Sequence, residues 1–81
     1  MNIERLVTMV NDISHYFAAD PDHAVGAASI ADHLKRFWEP GMRKSIVAHL
    51  AAGGEGLEPL AKMGVEKLAE LDRKSAEAAR T

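Results

Sequence analysis

The sequence predicts an all-α fold, a small bundle of three to four helices whose last helix projects in part. Three observations carry that expectation. Apolar residues return every three or four positions, no stretch alternates in the manner of a strand, and the three prolines and four of six glycines fall between periodic stretches. In the first stretch Ile3, Leu6, Val7, Val10, Ile13 and Phe17 line one helical face, with Asn2 placed to cap it and Glu4 near the positive end of the helix dipole. Arg5, Asn11, Asp12 and Ser14 are expected on the solvent face. Ala19-Asp20-Pro21-Asp22 reads as a turn, because a residue before proline avoids the helical region while proline suits a first helical turn. The second helix is accordingly expected from about Pro21 to Trp38 with Asp20 as its cap, and with Ile30, Leu34, Phe37 and Trp38 as its apolar surface.

Glu39-Pro40-Gly41 ends that helix, and a third runs from about Met42 to Ala52 with Ile46, Val47 and Leu50 inward. Gly53-Gly54 stops it. A fourth helical stretch follows Gly56, marked by Leu57, Leu60, Gly64, Leu68 and Leu71, with Glu58/Lys62, Lys62/Glu66, Glu70/Lys74 and Arg73/Glu77 as charge pairs one turn apart. No large apolar residue lies beyond Leu71. Residues 1–72 therefore read as one helical domain and 73–81 as a helical tail that frays or projects.

At 81 residues the chain holds one small core, and surface scaling implies that only about 60% of its unfolded surface is buried on folding. A partner would add to that burial. With 47% hydrophobic and 27% charged residues the composition is that of a folding domain, not a disordered one. The absence of cysteine removes disulfides, thiolate nucleophiles and cysteine-ligated zinc or iron–sulfur sites. A net charge of −2 argues against a general nucleic-acid or anionic-membrane binder. The opening Met1-Asn2-Ile3-Glu4-Arg5 lacks the basic and apolar regions of a signal peptide, and no apolar run reaches the length of a membrane span. The expected location is the cytoplasm.

His15, His23, His33 and His49 form neither an HExxH pair nor any pair one helical turn apart, so no helical metal site is specified. Nothing signals a nucleophilic triad, and Gly53-Gly54-Glu55-Gly56 lacks the Lys-Ser/Thr of a phosphate loop. No catalytic residue, metal ligand or cofactor site is assigned. The segment from Asp32 to His49 stands apart. Lys35, Arg36, Arg43 and Lys44 against Asp32 and Glu39 make it locally basic, and it holds Phe37, Pro40, Met42 and the only tryptophan, Trp38. Phe37 and Trp38 sit about 100° apart on a helix, so one is expected in the core and the other at its edge, without the sequence choosing between them. Trp, Met and Arg are enriched at interface cores, which makes this corner a candidate docking site. The plain alternative is that both rings fill a small core beside solvated charges.

Residues Ile30 to Arg43 (IADHLKRFWEPGMR), then Ala48-His49-Leu50 and Gly53-Gly54-Glu55-Gly56-Leu57-Glu58-Pro59-Leu60, resemble the delta subunit of NAD-dependent, molybdenum-containing formate dehydrogenases. The opening, with Ile3, Leu6, Met9, Asn11 and Phe17, is similar too, so the likeness covers roughly residues 2–60. Gly41 departs from it, standing where a larger, often basic residue is expected, and the tail from Ala61 is longer and more charged. The resemblance implies a soluble bacterial protein that accompanies larger subunits carrying a molybdopterin-type cofactor, iron–sulfur clusters and a flavin. In that setting the chain is a non-catalytic accessory subunit, with Arg36, Phe37, Trp38, Pro40, Met42 and Arg43 as the expected partner-binding corner. Leu57, Pro59 and Leu60 would pack beneath it or extend it, and burial of Trp38 would be the main apolar contribution. The rival readings are a maturation chaperone that aids cofactor insertion and leaves, and a homo-oligomeric adaptor pairing through Leu57, Leu60, Leu68 and Leu71.

Overall fold

The structure, a computed structural model, describes the backbone of residues 2–80 and the side chains of residues 2–75. It is all-α: α1 (Ile3–Phe17), α2 (His23–Phe37), α3 (Pro40–Ala51) and α4 (Pro59–Arg80). Asn2 caps α1 as expected, its side-chain oxygen accepting the Glu4 N–H at 2.9 Å. The start of α2 differs from the expectation by two residues. Asp20 accepts the Asp22 N–H and closes the turn, which leaves Asp22, not Asp20, to cap the helix by accepting from Ala24 N–H at 2.9 Å. At the next junction Pro40 opens α3 rather than ending α2. It stands in the first turn, where its missing N–H goes unneeded and its fixed φ already fits.

The core joins Leu6 and Val10 of α1, Ile30, Ala31 and Leu34 of α2, Trp38, Ile46 of α3, Leu57, and Ala61, Val65 and Leu68 of α4. The most extensive packing is between α2 and α4, and Gly64 makes it close: a methyl group there would lie 2.5 Å from Ile30 Cγ2. One expected surface residue of α1 is inside. Ser14 is buried, continuing the Leu6 and Val10 face by one more turn, and its hydroxyl donates to the Asn11 carbonyl at 2.7 Å so that no polar group is orphaned.

The segment between α3 and α4 is set by three glycines at positive φ, Gly53, Gly54 and Gly56. Gly53 N–H donates to Leu50 O and Gly54 N–H to His49 O, the paired bonds that satisfy the last carbonyls of a helix. Asn11 then ties the segment to α1 with both ends of its amide, donating to Gly56 O and accepting from Glu58 N–H, each at 2.9 Å. His49 Nε2 bonds Glu55 O at 2.7 Å, and His15 pairs with Glu58. Asn11→Ala should cost about 1–2 kcal/mol, since both bonds are lost together. For a domain of this size that lowers the thermal midpoint by several degrees, and amide exchange at Glu58, whose N–H loses its acceptor, should quicken with it.

Of the charge pairs expected on α4, Glu70–Lys74 is formed at 3.2 Å, with Lys67 3.9 Å away on the other side. The bond from Lys74, with the nearby charge of Lys67, holds the Glu70 carboxyl below its usual range. Its contribution is therefore complete above the ordinary carboxylate range and fades as pH falls through the lowered value. Glu58 pairs with His15 instead of Lys62. The α4 backbone continues to Arg80, while the partner expected for Arg73, Glu77, and most of the tail expected to fray or project lie outside the described side chains.

Candidate functional site

The α2–α3 corner forms because the chain leaves the helix at Trp38. Trp38 N–H still donates to Leu34 O, but its backbone is extended (φ −90°, ψ 142°), and Glu39 is held extended (φ −67°, ψ 153°) by the proline that follows. The two neighbouring rings, about 100° apart around α2, part here, with Trp38 following the stripe of Ala31 and Leu34. Trp38 is 6% exposed and belongs to the core, whereas Phe37 is 72% exposed. A side chain this buried keeps almost no surface accessible in the isolated chain, whereas the Phe37 ring stands open to solvent.

The other residues of the expected corner are near one another. Arg43 Nη1 donates to Lys35 O at 3.0 Å, bringing α3 back over the last turn of α2. Arg36 is exposed and pairs with Asp32 at 3.1 Å, Pro40 is exposed, and Met42 is half-buried against the core. Lys35, Arg36 and Arg43 thus gather at the negative end of the α2 dipole, where cations stabilise a helix. Part of the basic character of this corner is therefore structural. Among the described residues Lys35, Arg43 and Lys44 make no ion pair. From the corner a groove of about 420 Å³ runs between α3 and α4 past Val47, Ala48 and Ala69, with Arg43, Lys44 and Asp72 at its edges. At Gly41 nothing lies within 4 Å of an added methyl group, so a larger residue there would meet open space and the departure at this position is one of surface alone.

Leu57, Pro59 and Leu60 are not part of the corner. Leu57 is buried beside Gly54, at the far end of α3, and Leu60 lies against Gly26. Gly26 precedes Phe37 by eleven helical residues, about 16 Å along α2. Pro59 is exposed in the first turn of α4. The leucine stripe proposed for self-association is likewise committed to the chain's own core: Leu57 and Leu68 are buried, and Leu60 and Leu71 pack partly against them.

Sequence reasoning missed a row of rings across α1 and α2. Tyr16 meets Phe17 edge-on with centroids 5.0 Å apart, Phe17 lies 6.5 Å from His33, and His33 lies 4.8 Å from Phe37. The signal was present in part, since His33 and Phe37 are one turn apart and Tyr16 adjoins Phe17. Tyr16 is 78% exposed. Among the described residues no three His, Asp or Glu side chains gather as a metal site would need, and no helix is long and apolar enough to cross a membrane.

No curated protein and no solved structure matches the chain. A family model described as the NADH-dependent formate dehydrogenase delta subunit, FdsD, matches residues 5–65, which span most of α1, all of α2 and α3, and the start of α4. The match covers the Phe-Trp corner, the glycine segment and the Asn11 tie that positions it. With three quarters of its length so matched, the chain belongs to the family of NADH-dependent formate dehydrogenase delta subunits.

Proposed function

We propose that this chain is a non-catalytic accessory subunit that binds the larger subunits of a cytoplasmic, bacterial formate dehydrogenase and supports assembly or stability of the complex. The observation that carries the proposal is the family match over residues 5–65. The chemistry of formate oxidation and electron transfer to NAD is then the work of the partner subunits, which hold the molybdopterin, iron–sulfur and flavin groups. A chain without cysteine has no thiolate to bind an iron–sulfur cluster and takes part through its surface. The corner suits that role: Phe37 is an exposed ring, Arg43 is held by Lys35 O, and Lys35 and Lys44 offer cations to a partner's carboxylates.

The test is purification of the tagged chain from its native host with identification of bound proteins and assay of formate-dependent NAD reduction. Stoichiometric recovery of the larger subunits with activity is the expected outcome. Recovery of apo-enzyme without activity would replace the subunit by a maturation chaperone. Failure to recover any oxidoreductase subunit would overturn both.

A further inference from the structure

We infer that the row Tyr16–Phe17–His33–Phe37 is the surface through which this chain docks on a larger subunit, and that it fits an apolar groove edged by carboxylates. The inference rests on the reading of the chain as a subunit and adds to it the face used and the chemistry of the partner. The row joins two helices. Its outer members, Tyr16 and Phe37, are the most exposed of the large hydrophobic side chains, while Phe17 and His33 between them are half-buried and seated by ring contacts. Rings fixed in this way lose little freedom on binding, and aromatic side chains are frequent anchors of interfaces. Neither outer ring serves the core, which is filled by Leu6, Leu34, Trp38 and their neighbours.

Charge identifies the occupant. The row ends at Phe37 in the last turn of α2, the turn that also carries Lys35 and Arg36 and to whose Lys35 carbonyl Arg43 is bonded, and of Lys35, Arg36, Arg43 and Lys44 three make no ion pair among the described residues. Over the whole chain the net charge is −2, so this basic end is a local exception that an acidic edge on the partner would complement. A second copy fits less well. The row is a ridge, and a ridge laid on its own copy buries only the ring tips. A groove encloses them from both sides.

The test uses the full chain in its native host. The double substitution Tyr16→Ala, Phe37→Ala should retain the helical content of the wild type and lower the recovery of larger subunits at least tenfold. Met63→Ala, an exposed position in the groove between α2 and α4, should not change recovery. Lys35→Glu with Lys44→Glu should weaken recovery further as salt is lowered, where the wild type gains. Because the chain has no cysteine, Tyr16→Cys introduces a single thiol with three rings left in place. Its alkylation should be at least tenfold slower in the complex than in the isolated chain, while that of Met63→Cys is unchanged. If the wild type recovers the subunits and the double variant recovers them equally, or the thiol at position 16 stays reactive in the complex, the docking face is wrong and the subunit reading stands. If the wild type recovers none, the subunit reading itself fails. If the isolated chain sediments as a dimer that the double variant abolishes, the row covers a second copy and the inference is overturned.

Discussion

Trp38→Ala should cost about 3–5 kcal/mol, as loss of a large buried aromatic side chain generally does. Marginal stability scaled to a chain of 81 residues amounts to only about 4–12 kcal/mol, so this single change removes a large share of it. The expected result is a lowered or vanished thermal transition with reduced helical ellipticity. Phe37→Ala, one residue away, should melt within about 0.5 kcal/mol of the wild type, because a ring 72% exposed leaves no cavity behind. Trp38 is also the only tryptophan, so native emission should be blue-shifted and should move to the red as this corner opens. If Trp38→Ala keeps its melting temperature and loses only its partner, then the ring is a docking group and its burial in the free chain is wrong.

Gly64→Ala should destabilise by about 1–3 kcal/mol, against the usual sign of such a change in a helix. Replacing glycine by alanine inside a helix normally gains about 0.5–1 kcal/mol. Here the added methyl would stand 2.5 Å from Ile30 Cγ2 and 2.7 Å from Ile30 Cβ. Cβ is fixed to the backbone, so no rotamer relieves the contact and α2 must move away from α4. That packing is the most extensive in the molecule, so the strain falls where most of the burial is made. Gly41→Ala is the internal comparison: it too is helical, but nothing lies within 4 Å, and it should gain up to about 0.5–1 kcal/mol. Thermal melts of the two variants should therefore move in opposite directions. Equal shifts would mean that α2 and α4 approach less closely than Gly64 implies.

The helices were legible in the sequence because their signals are local. The spacing of Ile3, Leu6, Val10 and Phe17 depends only on the helical period, Asn2 bonds a group two residues away, and Gly53 and Gly54 end α3 through bonds to Leu50 and His49. The resemblance carried by the Phe-Trp corner and the glycine segment was legible for the same reason. Errors arose where two local solutions compete. Asp20 and Asp22 are both good caps, and only the turn made by Pro21 assigns the first to the loop and the second to the helix.

The candidate site was decided by contacts between segments. Phe37 and Trp38 lie about 100° apart on a helical wheel, and Trp38, four residues after Leu34 and seven after Ala31, continues the stripe that is buried, but only the packing of α2 on the other helices shows that this stripe is the core. Leu57 belongs to the leucine stripe by spacing, yet it precedes α4 and is buried by the fold of the glycine segment. Tyr16, Phe17, His33 and Phe37 become one row only when α1 and α2 lie side by side. Sequence by itself determined which stretches are helical, where they stop and which family they spell, because each follows from neighbours within a turn or two. Tertiary structure decided which ring is core and which faces outward, because burial depends on what the rest of the chain brings alongside.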